Sequence, residues 1–233
     1  MIFRTKWISD PALFPDVLLP GEIHVWKISG SHPASVVTEA ERRKAEGIKN
    51  VDAGMQYILS RSVPRELMAR YLKKSALDFV LEYNSHGKPF FSGEEIHFNT
   101  SHCGNQMVIA FCRDAAVGID IENGSRVRNS IAIAKRYFAP EEVSYLETES
   151  EEDVRAAFLR LWVCKEAALK SSGHGIEGGL QQTRVQFGAE LVIHRGIDQK
   201  ELTAVEFTPE DGFYGAIVAE LPIPLKNVKW FVL

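Results

Sequence analysis

Cysteine is scarce in this sequence, with three residues in 233: Cys103, Cys112 and Cys164. An odd count with no Cys-x-x-Cys argues against a disulfide framework or a zinc knuckle. Long apolar runs are missing too. The longest, such as Met107–Cys112, fall far short of the ~20 residues of a spanning helix, so no membrane association is expected. Arg4 and Lys6 are followed by Asp10 and Pro11, where the apolar stretch of a secretory leader would run. A reduced, cytoplasmic setting is expected. There is no basic excess: 27 Lys+Arg stand against 31 Asp+Glu, a net charge of −4. No nucleic-acid partner is therefore expected. Low-complexity tracts and short repeats are absent. A chain that is 45% hydrophobic and 25% charged is globular, not disordered.

A chain of this length buries about 70–75% of its unfolded surface and needs no covalent staple. The charge is unevenly spread. Residues 1–117 hold 14 Lys+Arg and 13 Asp+Glu, whereas residues 118–233 hold 13 and 18, giving +1 and −5. Glu22–Ile28 alternates like a strand, and Ser29–Ser35 reads as a loop. Thr38 and Glu41 have the spacing of a capping box, opening a charged helix to Asn50. Gly54–Lys74 has helical periodicity interrupted by Pro64, so it either kinks there or restarts with Ser62 as N-cap. Asn84–Phe90 is turn chemistry. Strands are expected at Glu95–Phe98, Met107–Arg113 and Ala116–Ile121, and helices at Asn129–Phe138 and Pro140–Glu147. Ser150–Ser172 is the clearest helix, with Gly173 placed to end it. Further strands follow at Glu190–His194, Leu202–Phe207, Phe213–Glu220 and Val228–Leu233. Strands joined by tight turns favour antiparallel sheets over a doubly wound one.

Three segments carry chemistry. In Val117-Gly118-Ile119-Asp120-Ile121-Glu122, alternation puts Asp120 and Glu122 on one strand face, a plausible divalent-cation site. The bland alternative is an edge strand with its charged face in water. In the segment 161–170, Trp162, Glu166 and Lys170 share one i, i+4 row. Glu166 is a candidate third metal carboxylate and Lys170 a phosphate-binding cation; the alternative is an ordinary surface ion pair. The third segment joins Gly87-Lys88-Pro89 to His97–Gly104. There Lys88 sits in a turn, and Ser101 and His102 precede a glycine that lets backbone approach a ligand. Otherwise His102 is a hydrogen-bonded loop histidine.

In order, GKP, HFNTSHCG, VGIDIE and WVCKEAALKSSGHG make a pattern that resembles the 4′-phosphopantetheinyl transferase superfamily. The likeness is to the larger single-chain type that activates nonribosomal peptide and polyketide synthases, and it runs from about Thr38 to Gly175. The resemblance implies an α+β fold: two similar subdomains with short antiparallel sheets, 1–117 and 118–233, forming an intramolecular pseudo-dimer. It implies transfer of the phosphopantetheine arm of coenzyme A to a serine of an acyl or peptidyl carrier protein, releasing adenosine 3′,5′-bisphosphate. It further implies Mg²⁺, with Mn²⁺ as the alternative ion, on Asp120, Glu122 and Glu166. Lys170 matches a lysine on the pyrophosphate. Arg43, Lys88, Ser101 and His102 match coenzyme A contacts. Glu166, Lys170 and His102 form the implied catalytic set, with Glu166 as candidate base. Arg126, Arg128, Lys135 and Arg136 follow the metal strand as a candidate carrier surface. A monomer is expected.

Two other readings remain open at this level. One is a silent module that binds coenzyme A or carrier domains without transfer, motivated by Ala45-Glu46-Gly47-Ile48, where the family usually has arginine and an aromatic; Ala40 occupies another position that is often basic. The other is a different Mg²⁺-dependent enzyme of nucleotide phosphates.

Overall fold

The computed structural model describes residues 5–28, 32–175, 179–188 and 191–233. In chain order the elements are β1 (Ile23–Ile28), α1 (Glu39–Glu46), α2 (Val51–Leu72), β2 (Leu81–Tyr83), β3 (Pro89–Phe91), β4 (His97–Cys103), β5 (Gln106–Cys112) and β6 (Val117–Asn123). They continue with α3 (Ser130–Tyr137), α4 (Pro140–Thr148), α5 (Val154–Ser172), α6 (Gly179–Gln182), β7 (Thr183–Phe187), β8 (Leu191–Arg195), β9 (Lys200–Phe207), β10 (Phe213–Ala219) and β11 (Val228–Val232). No helix among the described residues is long and apolar enough to cross a membrane.

Two sheets form the centre, ordered β11-β1-β5-β4 and β6-β10-β9-β8-β7. Residue alternation decides what each face meets. Trp26, Ile28, Ile109 and Phe111 pack under α2 against Leu59, Val63, Leu67 and Met68. On the opposite face, Ile23, Val25, Val108 and Ala110 meet Ile119, Ile121, Val205 and Ile217 of the second sheet. The outer face of that sheet, with Ala216, Val218, Ile193 and Leu202, lies under Val163, Cys164, Ala167 and Ala168 of α5. The result is four layers, α2, sheet, sheet, α5, and an α+β fold as expected. All ladders are antiparallel except β1 with β11.

That exception departs from the expected division at residue 117. The last strand leaves the second half and pairs with β1, because Phe231 has its partners there: its ring lies 4.5 Å from that of Trp26 and 6.1 Å from that of Phe14.

Local signals mostly held. The Thr38–Glu41 capping box is present, with both reciprocal bonds. Helix α2 runs unbroken through Pro64 and starts at Val51 after an Asn50 cap, three residues before the expected Gly54. Ser62 is not a cap: its hydroxyl accepts from the Val36 N–H and bonds to Glu66. Helix α5 begins at Val154, because Ser150 and Asp153 bond each other in the preceding turn. It ends at Gly173, which takes the left-handed conformation with φ 72°. Strand β4 runs to Cys103, further than expected, so Ser101 and His102 lie on a strand and not in a loop. The segment β2, α6 and β7 had no clear periodicity in the sequence. Residues 29–31 of the expected Ser29–Ser35 loop and Glu190 of the expected strand lie outside the described residues.

Candidate active site

Alternation along β6 buries Val117, Ile119 and Ile121 between the sheets and turns Gly118 and Asp120 to α5, with Glu122 next on that face. Gly118 is the point of closest approach. A Cβ there would stand 2.0 Å from the Ala167 carbonyl oxygen and 2.5 Å from the Ser171 nitrogen. Lacking one, the strand lets α5 lie directly upon it, and the Glu166–Lys170 row reaches Asp120.

Asp120 is 2% exposed, which rules out a solvated edge. Its Oδ1 accepts from Lys170 Nζ at 2.5 Å and from Ser101 Oγ at 2.8 Å. Its Oδ2 is buried with no hydrogen-bond partner among the described residues. Lys170 Nζ also stands 3.6 Å from Glu166 Oε2, both side chains being mostly buried, so this is no ordinary surface pair. Burial opposes the Lys170 ammonium, but the charges of Asp120 and Glu166 outweigh it and hold its pKa above the ordinary value. Burial and then the charge of Asp120 push the Glu166 carboxyl well above the usual carboxylate range. The same two causes raise Glu122. Cys103 points its thiol at Glu122 Oε2, 3.6 Å away. Burial and that carboxylate push the thiol up, so it is not a reactive thiolate.

The donor set fits a hard divalent cation. Its atoms are carboxylate oxygens, one of them buried and unpartnered, and mutual repulsion disfavours their ionised forms. Yet among the described residues no three His, Cys, Asp or Glu side chains gather closely enough to hold a metal by themselves. Mg²⁺ usually takes only one or two carboxylates and completes its shell with water and substrate phosphate oxygens. Asp120 and its neighbours suit that mode better than a closed protein cage.

His102 projects from β4 toward α2. It lines two recesses, of about 310 Å³ and 660 Å³, that share Ala53, Gln56 and His102 as a common wall. The larger also touches Glu122 and Arg126, so of the three candidate metal carboxylates it reaches Glu122. Partial burial and the Lys170 charge lower the His102 pKa, which favours a neutral imidazole. Gln56 Nε2 donates to the Gly104 carbonyl at 2.5 Å and ties α2 to the β4–β5 hairpin.

The other expected coenzyme A contacts have these surroundings. The Lys88 ammonium donates to the carbonyls of Ser171 at 2.8 Å and Val117 at 3.2 Å, and burial pulls its pKa down to about 8. It joins the two halves at the end of α5. Arg43 is exposed on α1, 3.4 Å from Glu39. Ser101 is buried against Asp120. Of the candidate carrier surface, Lys135 pairs with Glu147 at 2.8 Å, and Arg126 lies in the cavity wall.

Three residues were not singled out in the sequence. Gly118 carried a signal, since glycine inside a strand marks close backbone approach. Lys165 and Asn99 carried none. Lys165 is fully buried, and Asn99 Oδ1 accepts from the Ile119 N–H at 2.9 Å across the seam between the sheets.

Comparison with known proteins finds similar sequences. Residues 116–218 match the family model of the 4′-phosphopantetheinyl transferase superfamily. The chain is 29% identical over 187 residues to the 4′-phosphopantetheinyl transferase HetI of Nostoc sp., covering 75% of this chain and 78% of that protein. It is 28% identical over 162 residues to the transferase gsp of Aneurinibacillus migulanus, covering 69% and 65%. It is 28% identical over 143 residues to the transferase Sfp of Bacillus subtilis, covering 61% and 62%.

Proposed function

We propose that this chain, whose residues 116–218 match the family model of the 4′-phosphopantetheinyl transferase superfamily, transfers the 4′-phosphopantetheine arm of coenzyme A to a serine of an acyl or peptidyl carrier protein. Adenosine 3′,5′-bisphosphate is the other product. Asp120, Glu122 and Glu166 would hold Mg²⁺ or Mn²⁺. When bound there, the cation would supply positive charge at the reacting phosphates.

The rest of the chemistry belongs to this chain. Phosphoryl transfer is chiefly positioning and charge neutralisation. Lys170, kept protonated by Asp120 and Glu166, donates to the pyrophosphate where charge develops. His102, on the shared wall of the recesses, donates a ring N–H to a phosphate oxygen. The serine oxygen bonds to the phosphorus nearest pantetheine, and the bond from that phosphorus to the bridging oxygen breaks. Glu166, whose proton affinity is raised, takes the serine proton.

The supporting observation is that Lys170 Nζ bridges Asp120 Oδ1 and Glu166 Oε2, while the other oxygen of Asp120 is buried and has no partner among the described residues. The test is to incubate the purified protein with coenzyme A, Mg²⁺ and a panel of apo carrier proteins, and to record intact masses. One added arm per carrier is expected. No shift on any carrier sinks the reading, and coenzyme A binding without transfer replaces it with a binding module.

A further inference from the structure

One side chain of the second sheet holds the last turn of α5. Arg195 ends β8, pairs with Lys200 across the β8–β9 hairpin, and is fully buried. A guanidinium carries five N–H donors in one rigid plane. Here Nε donates to Asp198 Oδ1 at 2.9 Å, and Nη2 donates to Asp198 Oδ2 at 2.6 Å and to Glu220 Oε1. Nη1 donates to the Ala168 carbonyl at 2.7 Å and to Ser171 Oγ at 2.6 Å. Each donor thus has its acceptor inside the protein, and none is left for a ligand. The two carboxylates hold one edge of the fork while its Nη1 end meets the helix.

Ala168 and Ser171 flank Lys170 in the chain, and Lys170 lies in the last helical turn. Helix ends fray unless their terminal groups find partners. The Ser171 hydroxyl, besides accepting from Arg195, donates to the Ala168 carbonyl at 2.8 Å, so guanidinium, hydroxyl and carbonyl close a ring on that turn. A cation at a helix C-terminus also opposes the macrodipole. The same Ser171 packs against Gly118 of β6, where a Cβ would stand 2.5 Å from its nitrogen. From this turn the Lys170 ammonium reaches Asp120 and Glu166. That reach depends on the turn keeping its place over β6.

We propose that Arg195 is a positioning residue for Lys170, clamping the last turn of α5 to the second sheet so that the lysine ammonium stays where it meets Asp120 and Glu166. The proposal rests on the transferase reading for what Lys170 does. It adds that the β8–β9 hairpin, which carries none of the candidate site residues, contributes to the rate. A misplacement on the order of 1 Å, caused far from the chemistry, can cost about 100-fold.

The test measures single-turnover transfer from coenzyme A to an apo carrier protein, kcat and KM for coenzyme A, hydrogen exchange across residues 166–173, and thermal midpoints. The variants are Arg195→Lys, Asp198→Ala and Lys170→Met, with each of the first two also placed in the Lys170→Met background. Arg195→Lys keeps the charge, but an ammonium cannot span the positions of the fork. It is expected to lower kcat about tenfold or more, leave KM within about threefold, and speed exchange in the last turn of α5. Asp198→Ala loosens the fork without removing a bond to α5. It shifts both readouts the same way by less, and it carries the test where Arg195→Lys does not fold. In the Lys170→Met background both substitutions still speed exchange but change the single-turnover rate less than about twofold, because the group they position is gone. Equal rate losses in the two backgrounds overturn the proposal, as does unchanged exchange or a wild-type kcat in Arg195→Lys. A Lys170→Met variant that transfers at the wild-type rate removes Lys170 from the chemistry, and the proposal with it. A wild type that modifies no carrier removes the transferase reading itself, and with it the role given to Lys170.

Discussion

Lys165 Nζ and Glu142 Oε2, on two different helices, form an ion pair of 2.6 Å from which water is shut out. Neither charge is left short of partners. Glu142 also accepts the Ala139 N–H and the Val185 N–H, both at 3.0 Å. Lys165 also donates to the Leu180 carbonyl at 2.9 Å and to that of Thr183, and its ammonium lies 4.7 Å from the Phe138 ring centre. The pair pins α5 to α4, α6 and β7. It thereby sets the rotation of α5 about its axis, and with it the direction of the adjacent Glu166.

Lys165→Met is expected to destabilise the protein by about 3–5 kcal/mol, because it leaves Glu142 buried without its counter-charge. Adding Glu142→Gln should recover part of that loss. Urea denaturation of the two single variants and the double variant gives the coupling. Additive losses would show that the pair is not the anchor.

Asp120→Asn keeps the size of the side chain and can still accept from Ser101. Transfer is expected to fall a hundredfold or more, the scale for losing one charge-stabilising group. Circular dichroism and the thermal midpoint should stay near those of the wild type. Retained activity would remove Asp120 from the chemistry.

Gly118→Ala places a methyl group 2.0 Å from a backbone oxygen of α5. Backbone has no rotamer with which to yield, so the helix must move off the strand. A loss of about 1–3 kcal/mol or more is expected. Transfer by the remaining folded protein should fall as well, since Glu166 and Lys170 ride on that helix. Wild-type stability in this variant would contradict the close contact.

His24 is fully buried, and its Nδ1 lies 2.9 Å from the Tyr71 hydroxyl, which also accepts from Trp26 Nε1 at 2.8 Å. In the neutral tautomer that this network supports, the Tyr71 hydroxyl donates to Nδ1, and Nε2–H donates to Glu22 at 3.1 Å. Burial lowers the His24 pKa from 6.5 to about 4, against the pull of Glu22. Between those values the unfolded chain binds a proton that the native state refuses. Stability is therefore complete above pH 6.5 and falls as pH drops toward 4, by on the order of 3 kcal/mol. Denaturant midpoints across pH 4–7 should show this slope in the wild type and a slope shallower by about one proton in His24→Asn. Equal slopes would reject it.

Much of this was legible in the sequence. The Thr38 capping box and the Gly173 terminator are local devices, complete within a few residues, so their spacing specified them. Alternation in β6 put Asp120 and Glu122 on one face, and the i, i+4 row put Glu166 beside Lys170. The periodicity of α2 was visible, but not that Pro64 would be carried without a break. Nor could periodicity show β11 crossing back to β1, because that choice depends on Phe231 finding Trp26 and Phe14, residues some 200 positions away.

What the sequence by itself determined was most of the elements, the four charged residues of the candidate site and the family they resemble, because those signals are local or lie in short linked motifs. What only the tertiary structure decided was which of those charges meet and in what state. Asp120 is a buried carboxylate, with one oxygen unpartnered among the described residues, because α5 descends onto Gly118 and Ser101 arrives from another sheet. Lys88 caps the end of α5, and the invisible Lys165 turns out to be an anchor. Burial and distance govern ionisation and hydrogen bonding, and neither is a property of a residue until the chain has folded around it.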